Sequence, residues 1–244
     1  MTGDGYFDER VAARYDESSS EMFAREAVAP AVDFLAALAG DGRALELGIG
    51  TGRVALPLAV RGVRVDGIDL SPAMVARLRA RPGGDRIAVT MGDFGEVAVE
   101  GTFRLVYVVF NTFFNLGTQE AQVRCFRNVA ARLDAEGSFV VEAYVPDPAW
   151  LRDGQYVRTE SVEADAVRLD VCRIDAVAQR LDESHVLLAE GGVHLFPVVN
   201  RYAWPSEMDL MARLAGLRLR ERWAGWRREP FVSSSPRHVS VYGR

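Results

Sequence analysis

The sequence predicts an α/β fold: a mostly parallel seven-stranded sheet with helices on both faces, and a smaller antiparallel meander inserted late in the chain. Three observations carry this. Residues 44–53, Ala-Leu-Glu-Leu-Gly-Ile-Gly-Thr-Gly-Arg, are a short apolar run that breaks into alternating glycines and re-enters apolar sequence at Val54, as a buried strand turning into a helix does. Residues 63–69, Val-Arg-Val-Asp-Gly-Ile-Asp, read as a second strand ending on an acid. From there to about residue 145, apolar strands alternate with helical periods, the pattern of a parallel sheet covered on both faces.

Each element has its own local cause. Val28, Val32, Leu35 and Leu38 fall at helical spacing, and Pro30 among them starts a new helical segment or kinks the first. The helix after the glycines carries Pro57, which is expected to cost it a backbone bond. Ser71 and Pro72 are an N-cap and first-turn pair for a helix through Arg81. Residues 86–91 make a third strand, and 103–110 a continuous apolar fourth. Thr118 caps a helix whose Val123, Phe126, Ala130 and Leu133 share a face; Gly137 ends it and 138–145 form the fifth strand. After Pro146 and Pro148 the pattern changes. Val167, Leu169 and Val171 alternate with Arg168 and Asp170, residues 184–190 and 193–203 look extended, and no helix-length period appears between 156 and 203. Ser206 with Asp209 reads as a capping box, with Leu210, Met211 and Leu214 facing inward and Gly216 as the stop. Residues 217–223 and 237–242 close the sheet as an antiparallel pair. The chain thus divides at residues 1–40, 41–148, 149–203 and 204–244.

The glycine spacing narrows the ligand. Gly48, Gly50 and Gly52 strip side chains from the turn, so a ligand can lie on backbone N–H groups at the helix start. Dinucleotide folds space the third glycine one residue later, which disfavours a pyrophosphate and with it a nicotinamide oxidoreductase. Glu46 repels phosphate but attracts an ammonium group. Asp69, at the neighbouring strand end, is placed to accept ribose hydroxyls. S-adenosylmethionine has the ammonium and the ribose and lacks phosphates.

On these residues the sequence resembles the class I S-adenosylmethionine-dependent methyltransferases, from about residue 40 to about 145, and among them bacterial enzymes acting on amino sugars and other natural products. The resemblance implies a Rossmann-like fold with Glu46, Gly48, Gly50 and Gly52 around the methionine part of the cofactor. Asp69, with Leu70 and Met74 beside it, holds the ribose; Gly92, Asp93 and Phe94 flank adenine; Phe110 and Asn111 begin the loop beneath the cofactor. Residues 6–16 resemble the family's leading helix, a lid over the cofactor in which Tyr15 faces the methionine carboxylate or sulfonium. A domain that binds S-adenosylmethionine for another reaction, or only to regulate, is the alternative within the same resemblance.

Composition bounds the rest. The net charge of −5, and the absence of a Pro-Pro-Tyr/Phe run after Asn111, disfavour a nucleic-acid substrate and leave a small-molecule methyl acceptor. The chain has no lysine, which excludes Schiff-base and P-loop chemistry. Cys125 and Cys172 have no metal spacing, no apolar run is long enough for a membrane span, and no leader follows Met1, so a cytoplasmic protein without a metal is expected. The meander is read as a roof over the cofactor cleft, as a homodimer contact, or as an accessory sheet that only buries surface. If the acceptor must lose a proton, His194 in the meander is the candidate base, with Glu142 as an outsider; His185 and His238 read as turn or terminal-strand residues. Phe113, Arg201, Tyr202 and Trp204 fit a ring-bearing or anionic acceptor no better than they fit core and surface.

Overall fold

The computed structural model describes residues 7, 9, 11, 12 and 25–244. Helix α1 (Arg25–Ala39) leads into β1 (Arg43–Leu47), the short α2 (Ala55–Val60), β2 (Arg64–Asp69), α3 (Pro72–Ala80), β3 (Ala88–Met91) and β4 (Phe103–Val108). Then come α4 (Gln119–Arg132), β5 (Leu133–Tyr144), α5 (Pro148–Asp153), the meander β6 (Gln155–Val162), β7 (Ala166–Asp175), β8 (Arg180–Ala189) and β9 (Gly192–Arg201), and finally α6 (Pro205–Leu214), β10 (Arg218–Trp223) and β11 (Arg237–Gly243). The large sheet has the order β10-β11-β5-β4-β1-β2-β3, parallel except for β11, which runs antiparallel to both its neighbours. The meander is a separate four-stranded antiparallel sheet.

Period-two alternation divides the core between the two faces of the large sheet. Leu45, Leu47, Val106, Val108, Phe139 and Val141 point to the side covered by α4, α6 and the second sheet. Ala44, Leu105, Tyr107 and Val140 point to the side covered by α1 and α2. Glu46 and Glu142 share the parity of that second set.

Several local expectations shift, each for a physical reason. Helix α1 runs through Pro30 as one helix. Pro57 costs α2 nothing, because it stands in the first turn, where the N–H has no intrahelical partner. The third strand begins late, since residues 84–86 form a 3-10 turn, and the fourth stops at Val108. Gly137 does not end a helix: α4 stops at Arg132, and the register of β5 on β4 jumps from the Leu133 pair to the Ser138 pair. Helix α6 lacks the Ser206 capping box. Trp204 is its N-cap, with Pro205 at the first helical position, and Asp209 is drawn to Arg222 at 2.6 Å and the Tyr242 hydroxyl at 3.0 Å. Its buried stripe is Met208, Met211 and Ala212, while Leu210 and Leu214 face outward.

The meander has one strand more than expected, β6, and a face assignment the sequence did not disclose. Cross-strand partners place Asp170, Cys172 and Ile174 on one face with His185, Glu183 and Leu181. Ile174, Cys172 and Leu181 join the main core, so this face is turned inward. The apolar alternation Val167, Leu169, Val171 lies on the outer face, beside Val186, Leu188, Val193 and Leu195.

Candidate active site

The sheet order reverses between β1 and β4, the position where open α/β sheets bind ligands beyond their strand ends. The loops following β3, β2, β1 and β4 stand side by side there, and they carry Gly92–Phe94, Asp69–Met74, Glu46–Gly52 and Phe110–Asn111. The sequence-predicted cluster is therefore brought to one sheet edge. Tyr15 and most of the proposed lid lie outside the described residues; Phe7 is described, and its carbonyl accepts a hydrogen bond from Ser71 Oγ at 2.5 Å.

The glycine loop is tight. Gly48 and Ile49 both donate to the Ile68 carbonyl, at 2.9 and 3.0 Å, which ties the loop to β2. Gly48 has φ +71°, and a Cβ there would lie 2.6 Å from Thr112 Cγ2, in the loop after β4. Only glycine keeps that backbone bare and the two loops in contact. Asp69 closes the other side: Oδ2 accepts from the Gly50 N–H at 2.6 Å and Oδ1 from the Ser71 N–H at 2.8 Å. Burial raises its pKa, and these two backbone bonds pull it back. Each oxygen keeps a lone pair for a second donor. Leu70 is exposed and Met74 buried against the loop. Gly92 donates to the Asp69 carbonyl at 2.9 Å, Asp93 accepts from the Gly95 N–H at 2.7 Å, and Phe94 is half-buried beside Gly48.

Glu46 is buried, and its Oε2 accepts the Tyr107 hydroxyl at 3.0 Å. Burial pushes its pKa up to about 8, although Tyr107 and the nearby Arg53 oppose the shift. An acid held neutral by its surroundings gains from an arriving cation.

The turn after β4 is strained. Phe110 and Asn111 have φ of +54° and +63°, two consecutive non-glycine residues in left-handed backbone. Glu142 on β5 holds them there. Its Oε2 accepts the Phe110 N–H at 3.0 Å, its carbonyl accepts the Asn111 N–H at 3.3 Å, and its Oε1 accepts the Trp226 indole N–H at 3.0 Å. Asn111 Oδ1 in turn accepts the Tyr144 N–H at 2.8 Å, and the Arg53 guanidinium stacks 3.3 Å above the Phe110 ring. Both oxygens of Glu142 thus clamp this turn. Sequence reasoning missed Tyr107, Arg53 and Trp226. Strand parity would have found Tyr107, which shares the buried face of Glu46.

Of the histidines, His238 stands on the last strand, as expected, whereas His185 lies within a strand of the meander and not in a turn. His194 is exposed near the β8–β9 hairpin and pairs across the strands with Leu187. His238 is buried, bonds Ser240 Oγ at 2.8 Å, and is driven by burial to a pKa of about 3. His185 lies mid-strand on the inner face of the meander, with Nδ1 2.7 Å from Asp170. The hydrogen bond to Asp170 raises the His185 pKa against the effect of burial. Burial acts to raise the Asp170 pKa, but His185 and Arg158, the latter at 2.6 Å, outweigh it and hold the carboxyl low. Arg201 offers nothing to an anionic acceptor: it is buried, 2.8 Å from Glu207 and 2.6 Å from Gln122. Phe113 and Tyr202 are core residues.

Comparison with known proteins agrees with this fold. The family described as a methyltransferase domain matches residues 44–137. The CcbJ methyltransferase from Streptomyces caelestis is 42% identical, with a TM-score of 0.82 over 88% of this chain and 93% of that one. The cypemycin N-terminal methyltransferase of a Streptomyces species is 28% identical over 254 residues, the full length of both. S-adenosylmethionine-bound CalS10, an amino pentose methyltransferase from Micromonospora echinaspora, shares the fold at 24% identity and a TM-score of 0.68, over 92% of this chain and 95% of that one. The chain belongs to the class I S-adenosylmethionine-dependent methyltransferases.

Proposed function

We propose that the acceptor atom is an amine nitrogen, and that His185, rather than His194, takes its proton. The observation that carries this is the His185–Asp170 pair on the inward face of the second sheet: a carboxylate fixing Nδ1 as the donor makes Nε2 the basic atom. A related enzyme, the cypemycin N-terminal methyltransferase, is named for a nitrogen acceptor. Among the described residues no helix is long and apolar enough to cross a membrane, and a net charge of −5 suits a small molecule better than a nucleic acid. The two cysteines are free and buried, which supports a reducing cytoplasm.

The residues fit the cofactor. Glu46, neutral in its buried site, receives the ammonium; the bare backbone at Gly48, Gly50 and Gly52 lies along the methionine part. Asp69, with Leu70 and Met74, takes the ribose, while Asp93 and Phe94, after Gly92, take adenine. Phe110 and Asn111 form the floor. When bound, the cofactor supplies a methyl carbon on a positive sulfur, open to in-line displacement. The chain's own work is positioning: the strained turn at Phe110 and Asn111 sets the floor, the second sheet sets the acceptor, and the imidazole receives the proton that frees the nitrogen lone pair.

Mass spectrometry of products from a panel of amino sugars and α-amines, each with its matched alcohol, tests the reading. N-methyl products from amines and none from alcohols are expected; O- or C-methyl products overturn it.

The outer face of the second sheet supports a homodimer. Val193 and Leu195 are 65% and 58% exposed and adjoin Val167, Leu169, Val186 and Leu188 across the strands. An apolar field of this kind, on an otherwise charged chain, fits a second copy packed sheet to sheet. The double variant Val193→Asp/Leu195→Asp is expected to sediment as a monomer where the parent sediments as a dimer. Equal sedimentation of the two would rule the interface out.

A further inference from the structure

We infer that Glu183, on the inward face of β8, is the seat of the acceptor's cationic nitrogen, walled by Tyr144, Trp150 and Tyr156. This rests on the nitrogen reading above and adds the recognition element that reading lacks.

Several carboxylates in and beside the second sheet are paired, and Glu183 is not among them. Asp170 is paired with Arg158 and His185, Asp182 with Arg173 and Arg180, and Glu207 with Arg201. Glu183 is half-buried, accepts the Tyr156 hydroxyl at 3.0 Å and the Asn200 amide at 3.5 Å, and among the described residues has no ion-pair partner. Neutral hydrogen bonds hold a carboxylate in place without neutralising it. Its charge also acts on His185, two residues along the same strand. Cys172, directly opposite on β7, supplies no countercharge: burial pushes its thiol up to about 12.

The surroundings are those a cation prefers. Trp150 and Tyr156 have ring centroids 5.2 Å apart, Tyr144 and Trp150 6.1 Å, and Phe114 and Tyr144 4.8 Å. Burial and then the charge of Glu183 raise the phenols of both Tyr144 and Tyr156, which places the carboxylate within electrostatic reach of both rings. Aromatic faces beside an uncompensated carboxylate bind an ammonium by cation–π attraction and ion pairing together. Tyr144 is also tied to the loop after β4, since its backbone N–H donates to Asn111 Oδ1. An ammonium seated here loses its proton to the neighbouring His185. The freed lone pair forms the N–C bond as the C–S bond breaks, and S-adenosylhomocysteine leaves.

The test is calorimetric, on full-length protein saturated with S-adenosylhomocysteine, using cyclohexylamine and cyclohexanol as a cationic and a neutral probe of one shape. The parent is expected to prefer the amine. Glu183→Gln is expected to lose at least tenfold in amine affinity, with the alcohol unchanged and S-adenosylhomocysteine held within twofold. Glu183→Asp, which keeps the charge, is expected to keep the preference for the amine, and it decides the matter if the Gln variant does not fold. An amine bound equally by parent and Glu183→Gln, or a lost preference in Glu183→Asp, overturns the seat alone. No preference in the parent overturns both the seat and the nitrogen reading.

Discussion

Glu46→Gln is expected to stabilise the ligand-free enzyme at pH 8 while weakening its hold on S-adenosylhomocysteine. In the folded chain the Glu46 carboxyl titrates at about 8 instead of 4.5. Between those values the native state therefore binds a proton that the unfolded state has lost. The stability associated with that proton is fully present below about 4.5 and is lost as pH rises through 8. A shift of this size corresponds to at most roughly 5 kcal/mol, at about 1.4 kcal/mol per pKa unit. Glutamine has no charge to bury, and its side-chain oxygen can still accept the Tyr107 hydroxyl. The fall in melting temperature between pH 5 and 8 should accordingly flatten. Binding carries the opposite signature. A cofactor ammonium beside Glu46 draws the carboxyl into its charged form, so below pH 8 binding releases a proton and affinity rises with pH. Calorimetry in buffers of different ionisation enthalpy should count about one proton released near pH 6.5 for the parent and none for the variant. The affinity deficit of the variant should widen towards pH 8.5, reaching about 1.5–3 kcal/mol, the worth of a charged hydrogen bond. An identical proton count in the two proteins would remove Glu46 from the ammonium site.

That Glu46 stands beside the glycine loop was visible in the sequence; why its carboxyl titrates high was not. A strand followed by Gly-x-Gly-x-Gly fixes where the acid sits, because the local pattern dictates strand, turn and helix together. Its raised pKa comes from burial, against which Tyr107, contributed by another strand, and Arg53 pull, and none of these is set by the local pattern. The parallel core was legible for the same local reason: apolar runs of strand length separated by helical periods leave few other folds. The capping box at Ser206 failed because two local signals competed, and Pro205 at the first helical position won while Arg222 drew Asp209 away. The meander was legible as strands but not by face. Its outer residues are apolar and its inner ones include Asp170, Glu183 and His185, so alternation alone pointed to the wrong side. The base candidate followed that ambiguity. His194 and His185 look alike in sequence, and only the cross-strand register sets Asp170 opposite His185 and leaves His194 near the exposed hairpin.

Glu142→Ala is expected to be the most damaging single change outside the glycine loop, by about 3–5 kcal/mol of stability. The carboxylate is buried on β5, and burial raises its pKa against the hydrogen bonds from the Phe110 N–H and the Trp226 indole. Its removal leaves both donors without a partner and opens a void between the sheet and the loop after β10. Two consecutive left-handed residues without glycine cost roughly 1–3 kcal/mol each unless their surroundings impose them. With the Phe110 bond gone, that turn should relax towards ordinary backbone and carry Asn111 away from the Tyr144 N–H. Binding of S-adenosylhomocysteine should therefore weaken along with stability. Trp226→Phe separates the two effects, since it frees one oxygen of Glu142 and leaves the Phe110 bond intact. It should cost about 1–2 kcal/mol of stability and little cofactor affinity. Glu142→Gln can still accept one of the two N–H bonds but must turn its amide towards the other, so it should fall between the two. Denaturant unfolding paired with calorimetric titration of all three variants checks this order. If Glu142→Ala lost stability but bound S-adenosylhomocysteine as the parent does, the strained turn would be a feature of the fold with no part in holding the cofactor.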